Sequence, residues 1–233
     1  MDRIHRKELK HDKFIEQVGH GVEYAVDHRR QFAKWAIVGA GVLLVAIGIS
    51  LFLRRQADVR ADELRAAMRA MDAAVGPAPN EFVASYPTQA EKEAAVVKAF
   101  TNVASQYPNQ REGVVAAYFL GTIAADQGKF AESEKRLRQV AGSGKEPYAS
   151  QAKLSLADLL ESQGKIADAE KLARALVANP SILVSKEQAT IKLARLISKS
   201  KPQEARKLLE PLRTERSAVS RVALTALSEI PVR

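Results

Sequence analysis

Three stretches of this chain align without gaps at a spacing of 36 residues: GKFAESEKRLRQV from Gly128, GKIADAEKLARAL from Gly164 and SKPQEARKLLEPL from Ser200. Self-similarity at such a period confines the chain to stacked supersecondary units, because one unit cannot bury its own apolar face. Each stretch reads as an amphipathic helix entered through a turn, and each follows another helix: AAYFLGTIAADQ, AKLSLADLLESQ and TIKLARLISKS. In those first helices Leu120-Gly121, Leu156-Ala157 and Leu193-Ala194 set a large apolar residue beside a small one. The small residue predicts a close helix crossing, with leucine filling the adjoining groove. Gly128 and Gly164 predict the left-handed residue that ends the first helix of a pair. The fold class is therefore all-α, and the scarcity of β-branched and aromatic runs, with aromatics at 6 %, argues against a sheet.

These residues resemble the tetratricopeptide repeat family. Leu120, Gly121, Gly128, Phe130 and Leu137 match its pattern in one unit, with Ser133 in place of the usual alanine. Leu156, Ala157, Gly164, Ile166, Ala169 and Pro180 match in the next. A third unit carries Leu193, Ala194, Ala205 and Leu209, with Pro202 opening its second helix, where proline is tolerated. AVVKAFTNVASQYPN, with Ala99, Phe100, Val103 and Pro108, resembles the second helix of an incomplete unit ahead of these. SAVSRVALTALSEI is expected to cover the last repeat as a cap, since an uncovered apolar helix face is unstable in a solenoid.

Residues 36–53, AIVGAGVLLVAIGISLFL, hold eighteen positions without a charge. As a helix they rise about 27 Å, nearly the thickness of a hydrocarbon core of about 30 Å. Phe32 and Trp35 extend the run into the headgroup layer, and Arg54-Arg55 closes it. More than thirty residues precede the run and no small-x-small motif follows it, so an uncleaved anchor is expected rather than a signal peptide. Gly39, Gly41 and Gly48, with the Ala36/Ala40 pair, leave room for close approach of another helix and hence for a homo-oligomer.

The expected organisation is a tail with an amphipathic helix over 1–34, a transmembrane helix over 35–53, a helical stem and hinge loop over 54–87, and the repeat domain with its cap over 88–233. Ile15, Val18, Val22 and Val26 carry the apolar pattern of the tail. His5, His11, His20 and His28 lie there too, but no two fall on adjacent helical turns, so no metal site is expected. The loop rests on Gly76, Pro77, Pro79 and Pro87.

Net charge is +9, and it is concentrated at the ends: residues 1–60 carry +4, 61–184 carry −1 and 185–233 carry +6. No aromatic stacking platform accompanies the basic ends, which argues for solvated helix faces and against nucleic acid. Counting positive charge around the span does not decide its orientation. The whole preceding tail has eight Lys/Arg against five in residues 54–73, whereas the nearest twenty residues have three.

A single early span followed by helical repeats is similar to the ancillary subunit family of the bacterial Sec translocon. That resemblance implies a repeat domain outside the cytoplasm, anchored in the inner membrane, with translocon subunits, chaperones or secreted clients as protein partners. A structural adaptor in an envelope or cell-division assembly is the alternative reading.

Nothing in the pattern gathers a catalytic set. There is no cysteine, no histidine after His28, no glycine-rich phosphate loop and no HExxH, so neither an enzyme nor a cofactor is expected. A repeat solenoid instead offers a concave surface to a polypeptide. On the first helices, Tyr118, Thr122, Leu154, Asp158 and Arg195 are the residues expected to face that surface rather than the core.

Overall fold

The computed structural model describes residues 29–78, 84–213 and 218–231. The amphipathic pattern around Ile15 to Val26, the four histidines and Pro79 lie outside these residues, as does the side chain of Phe32. Among the described residues there are nine helices: α1 (Arg29–Asp72), α2 (Gln89–Gln106), α3 (Arg111–Asp126), α4 (Phe130–Ala141), α5 (Tyr148–Ser162), α6 (Ile166–Ala178), α7 (Lys186–Ile197), α8 (Pro202–Arg213) and α9 (Ala218–Ser228). Two short strands, β1 (Ala74–Val75) and β2 (Ser85–Tyr86), pair in parallel with Ala74 opposite Ser85. The chain divides into two compact units, Met1–Asp58 and Val59–Arg233.

In the first unit, every described side chain of residues 33–56 is exposed, Trp35 at 74 % and Leu44 at 69 %. Its apolar stretch has a mean hydropathy of 2.6 and no buried share, and α1 is the one described helix long and apolar enough to cross a membrane. Apolar side chains exposed on all faces of a helix suit a hydrocarbon solvent and not water.

The second unit is a stack of helices. Each helix from α2 to α9 packs chiefly on its neighbours in sequence, with further contacts between the first helices of successive pairs, α3 with α5, and between α7 and α9. That nearest-neighbour pattern is what a repeat architecture requires. Leu137, Leu156, Leu160, Leu193, Ile197 and Leu209 fill the main core, each almost fully buried, and Ala157, Ala169, Ala173, Ala194 and Ala205 provide the close crossings. The small-residue reading of the repeat is borne out at these positions.

The turn inside each of the first two full pairs follows from glycine. Gly128 and Gly164 adopt φ of +71° and +74°. Around Gly128 the amide of Lys129 donates to Ala124 O at 2.8 Å and that of Gly128 to Ala125 O at 2.9 Å. Lys165 and Gly164 repeat the pair of bonds onto Leu160 and Glu161. This double bond pattern is the Schellman closure, and it satisfies carbonyls that a helix end otherwise leaves open. Pro202 opens α8 as the sequence predicts.

A ladder of ion pairs joins successive second helices. Lys165 reaches Glu134 at 3.2 Å, and 36 residues on Lys201 reaches Glu170 at 2.7 Å. Arg138 and Arg174 brace the same carboxylates from one turn along their own helices, at 2.8 and 2.7 Å. The next equivalent position is Arg206, of opposite charge, whose guanidinium donates to Ile230 O at 3.2 Å. The ladder therefore ends by tying down the segment after α9, where carbonyls left open at a helix end favour a cation.

The surroundings of the stem and loop are not apparent from their own residues. Residues 59–72 pack into the second unit, where Ala67 is fully buried in a cluster with Val96, Phe100, Val103, Ala116 and Leu120. They supply the missing first helix for α2, and Tyr107 Oη donates to Glu63 Oε1 at 3.2 Å across that pair. An alanine-rich amphipathic stretch has the same pattern whether it faces solvent or a neighbour. The hinge loop is also tied at its described ends, by the β1–β2 bridge and by Lys92 Nζ, which donates to Ala73 O at 2.6 Å.

Candidate protein-binding groove

The first helices α5 and α7, together with the cap α9, enclose an open groove of about 710 Å³. From α5 come Leu154, Asp158 and Glu161; from α7 come Gln188, Ile191, Lys192 and Arg195; from α9 come Val219 and Val222, with Glu229 just after it, and Ser185 stands at the entry to α7. The side chains reach one surface because α5 and α7 hold the same place in successive units. Leu154 and Ile191 are equivalent repeat positions, as are Asp158 and Arg195, each pair 37 residues apart. Ser185 fixes the start of α7 by accepting from the Gln188 amide at 3.2 Å.

The floor is apolar. Leu154 and Ile191 are each 8 % exposed, and Leu154 packs with Leu176, Val184 and Ala189 beneath it. Val222, at 43 % exposed, is an aliphatic side chain of the α9 wall open to solvent. Charge lines the walls. Lys192 is nearly enclosed, at 13 % side-chain exposure, and its ammonium pairs with Asp158 Oδ1 at 2.5 Å and with Glu161 Oε2. Burial pulls the Lys192 ammonium down, but its hydrogen bonds to Asp158 and Glu161 outweigh that and hold it above the ordinary lysine value. Arg195 lies 3.5 Å from Glu229 Oε2, joining α7 to the cap.

Of the five residues expected at a binding surface, the structure brings Leu154, Asp158 and Arg195 together in the groove. Tyr118 and Thr122 are not among its walls. Thr122 Oγ1 donates to Phe119 O of its own helix at 2.9 Å. Tyr118 corrects the expectation of a surface residue outside the core: it is 9 % exposed and belongs to the main cluster. Its ring meets Phe119 and Tyr148 edge-on, with centroids 5.5 and 5.4 Å away, and its hydroxyl lies 3.3 Å from Ser155 Oγ. Phe119 in turn stacks on Phe100 at 5.1 Å, so this aromatic row joins the main apolar cluster to the one around Phe100. Tyr148 follows a turn between repeats, and no spacing rule on α3 reveals it.

Sequence reasoning missed Lys192, Glu161, Ile191, Val222 and Glu229. Ile191 was recoverable by carrying Leu154 forward one unit. The Lys192 pairs span 31 and 34 residues and have no local signature. Among the described residues, no group of three or more His, Cys, Asp or Glu could hold a metal ion.

No protein-family model matches the chain, and no curated protein does. Among solved structures it is similar to a Podosopora anserina chain described as a kinesin light chain with nearly identical TPR-like repeats. The match has a TM-score of 0.53 at 16 % identity and covers 73 % of this chain and 84 % of that one. The fold is a TPR-like helical repeat. The Q17M variant of the same Podosopora anserina protein gives a TM-score of 0.54 at the same identity and coverage. At this identity the likeness carries the fold alone.

Proposed function

We propose that this chain is a membrane-anchored, protein-binding scaffold, held by residues 36–53 and presenting the groove of α5, α7 and α9 to partner polypeptides. The observation that carries this reading is the groove itself: an apolar floor walled by charged side chains on the first helices of successive repeats. Apolar anchoring surface beside polar orienting groups is the composition of polypeptide-binding sites. Support for the anchor is the exposed apolar helix of the first unit.

The finer part of the proposal follows the resemblance to the ancillary translocon subunit. The repeats lie outside the cytoplasm at the inner membrane and meet translocon subunits, chaperones or secreted clients. A photo-crosslinking residue at Gln188, on the groove, is expected to capture envelope polypeptides in native membranes, and one at Lys171, on α6, is not. A reporter that works only outside the cytoplasm, fused after Arg233, is expected to be active. Equal capture from both positions removes the groove from the function, and a silent exported reporter with an active cytoplasmic one removes the secretion role.

A further inference from the structure

The groove's charge points to the chemistry of its occupant. Three carboxylates line it, Asp158, Glu161 and Glu229, against two cations, Lys192 and Arg195. Their exposure is unequal. The Asp158, Glu229 and Glu161 side chains are 59 %, 53 % and 40 % exposed, whereas Lys192 is 13 % exposed and held by two of them. Arg195, at 43 %, is turned to Glu229. Asp158 uses Oδ1, and Glu161 and Glu229 use Oε2, in these pairs; a carboxylate engaged through one oxygen keeps acceptor capacity on the other. The surface a ligand meets is thus an acidic rim over the aliphatic floor of Leu154 and Ile191, within a chain whose net charge is +9.

We propose that the groove selects a cationic, apolar polypeptide segment, in which aliphatic side chains seat on Leu154, Ile191 and Val222 while Lys or Arg side chains meet the free edges of Asp158, Glu161 and Glu229. This rests on the groove being the protein-binding surface and adds the chemical class of its partner. The Lys192 bridge acts as a fixed spacer: it holds the two α5 carboxylates in place, so a ligand cation meets acceptors that need no reorganisation. An acidic segment would face like charge, which penalises wrong partners more strongly than matching charge rewards right ones.

The test uses the full chain in phosphatidylcholine nanodiscs, with empty nanodiscs as the blank, and two fluorescent peptides of equal length, one of leucine and lysine and one of leucine and glutamate. The lysine peptide is expected to bind about tenfold tighter by anisotropy, with the advantage shrinking at high salt. Asp158→Asn with Glu229→Gln, both at exposed positions, is expected to erase that preference, and Val222→Asp to weaken binding of both peptides. If the glutamate peptide binds as well or better and Val222→Asp weakens it, the charge assignment is overturned while the groove stands. Binding of the lysine peptide that ignores the double substitution overturns the assignment too. If neither peptide binds, both the assignment and the groove reading fail.

Discussion

Gly121 on α3 sits directly under Leu137 on α4: a Cβ at Gly121 would stand 3.0 Å from Leu137 Cδ2 and 3.1 Å from its Cγ. The contact is with the end of a flexible side chain, so a methyl is accommodated by a small shift of Leu137. An isobutyl group is not. Gly121→Leu is expected to lower unfolding stability by about 1–3 kcal/mol in urea, with Gly121→Ala well below that. An unchanged transition for Gly121→Leu would mean that α3 and α4 do not cross there.

Gly113 presents the harder case. A Cβ there would lie 1.8 Å from Tyr107 O and 2.5 Å from Tyr107 C, which are backbone atoms of the turn between α2 and α3. No rotamer change relieves this, and the turn itself must move. Gly113→Ala is expected to cost more than Gly121→Ala, about 3 kcal/mol or above, although both substitutions add the same methyl group. Comparing the two alanine variants by chemical denaturation checks the ranking.

Ser133 occupies the position that Ala169 and Ala205 hold in the next two units, and all three are fully buried. Its hydroxyl has no hydrogen-bond partner. A buried, unmatched hydroxyl costs about 1–3 kcal/mol, so Ser133→Ala is expected to stabilise the unit by up to that amount. A lower melting temperature in this variant would show that the hydroxyl is satisfied in solution.

The legibility of this chain followed how local each cause is. Gly128 and Gly164 announce the turns because only a residue free of Cβ takes their φ at no cost, and the requirement is met within five residues. Leu156-Ala157 and Leu193-Ala194 announce the crossings because the repeat restates them. The groove was half legible: Leu154, Asp158 and Arg195 follow from repeat register, but the Lys192 bridge to α5 and the wall supplied by α9 depend on residues dozens of positions apart. Tyr118 misled for the same reason. Its burial comes from Tyr148 and Ser155 on the next unit, and on α3 alone it is an ordinary amphipathic-face tyrosine. Residues 59–72 were seen as a helix, yet nothing within them marks the clusters of α2 and α3 that enclose Ala67.

The ion-pair ladder gives a pH dependence with a defined sign. Hydrogen bonds from Lys201 and then Arg174 hold the Glu170 carboxyl below its ordinary value, and those from Arg138 and then Lys165 do the same for Glu134. A carboxyl depressed in the folded state adds stability above its unfolded pKa, and that contribution is lost as pH falls through the folded value. Both groups are semi-exposed, so each pair contributes only up to about 1 kcal/mol. Replacing Lys165 and Lys201 by methionine is expected to lower stability at neutral pH, with the gap to the parent closing once pH falls below the carboxylate range. A gap that persists in strong acid would assign the loss to packing of the lysine stems instead of charge.

The span admits a test that separates an anchor from a removed leader. A helix of mean hydropathy 2.6 near the chain start satisfies the length and composition rule for either. What distinguishes them is the end of the run: Arg54 and Arg55 follow Leu53 directly, where a leader would end in a small-x-small site for a peptidase. The mature protein is therefore expected to retain Trp35 and to stay in the membrane pellet after carbonate extraction. Two arginines placed in the run, Leu44→Arg with Ile47→Arg, each cost about 2.5–3.5 kcal/mol of insertion near the bilayer centre and are expected to release the protein to the supernatant. Mature protein whose N-terminus begins beyond Leu53, found in the soluble fraction without those substitutions, would remove the anchor, and with it the placement of the repeats at a membrane surface.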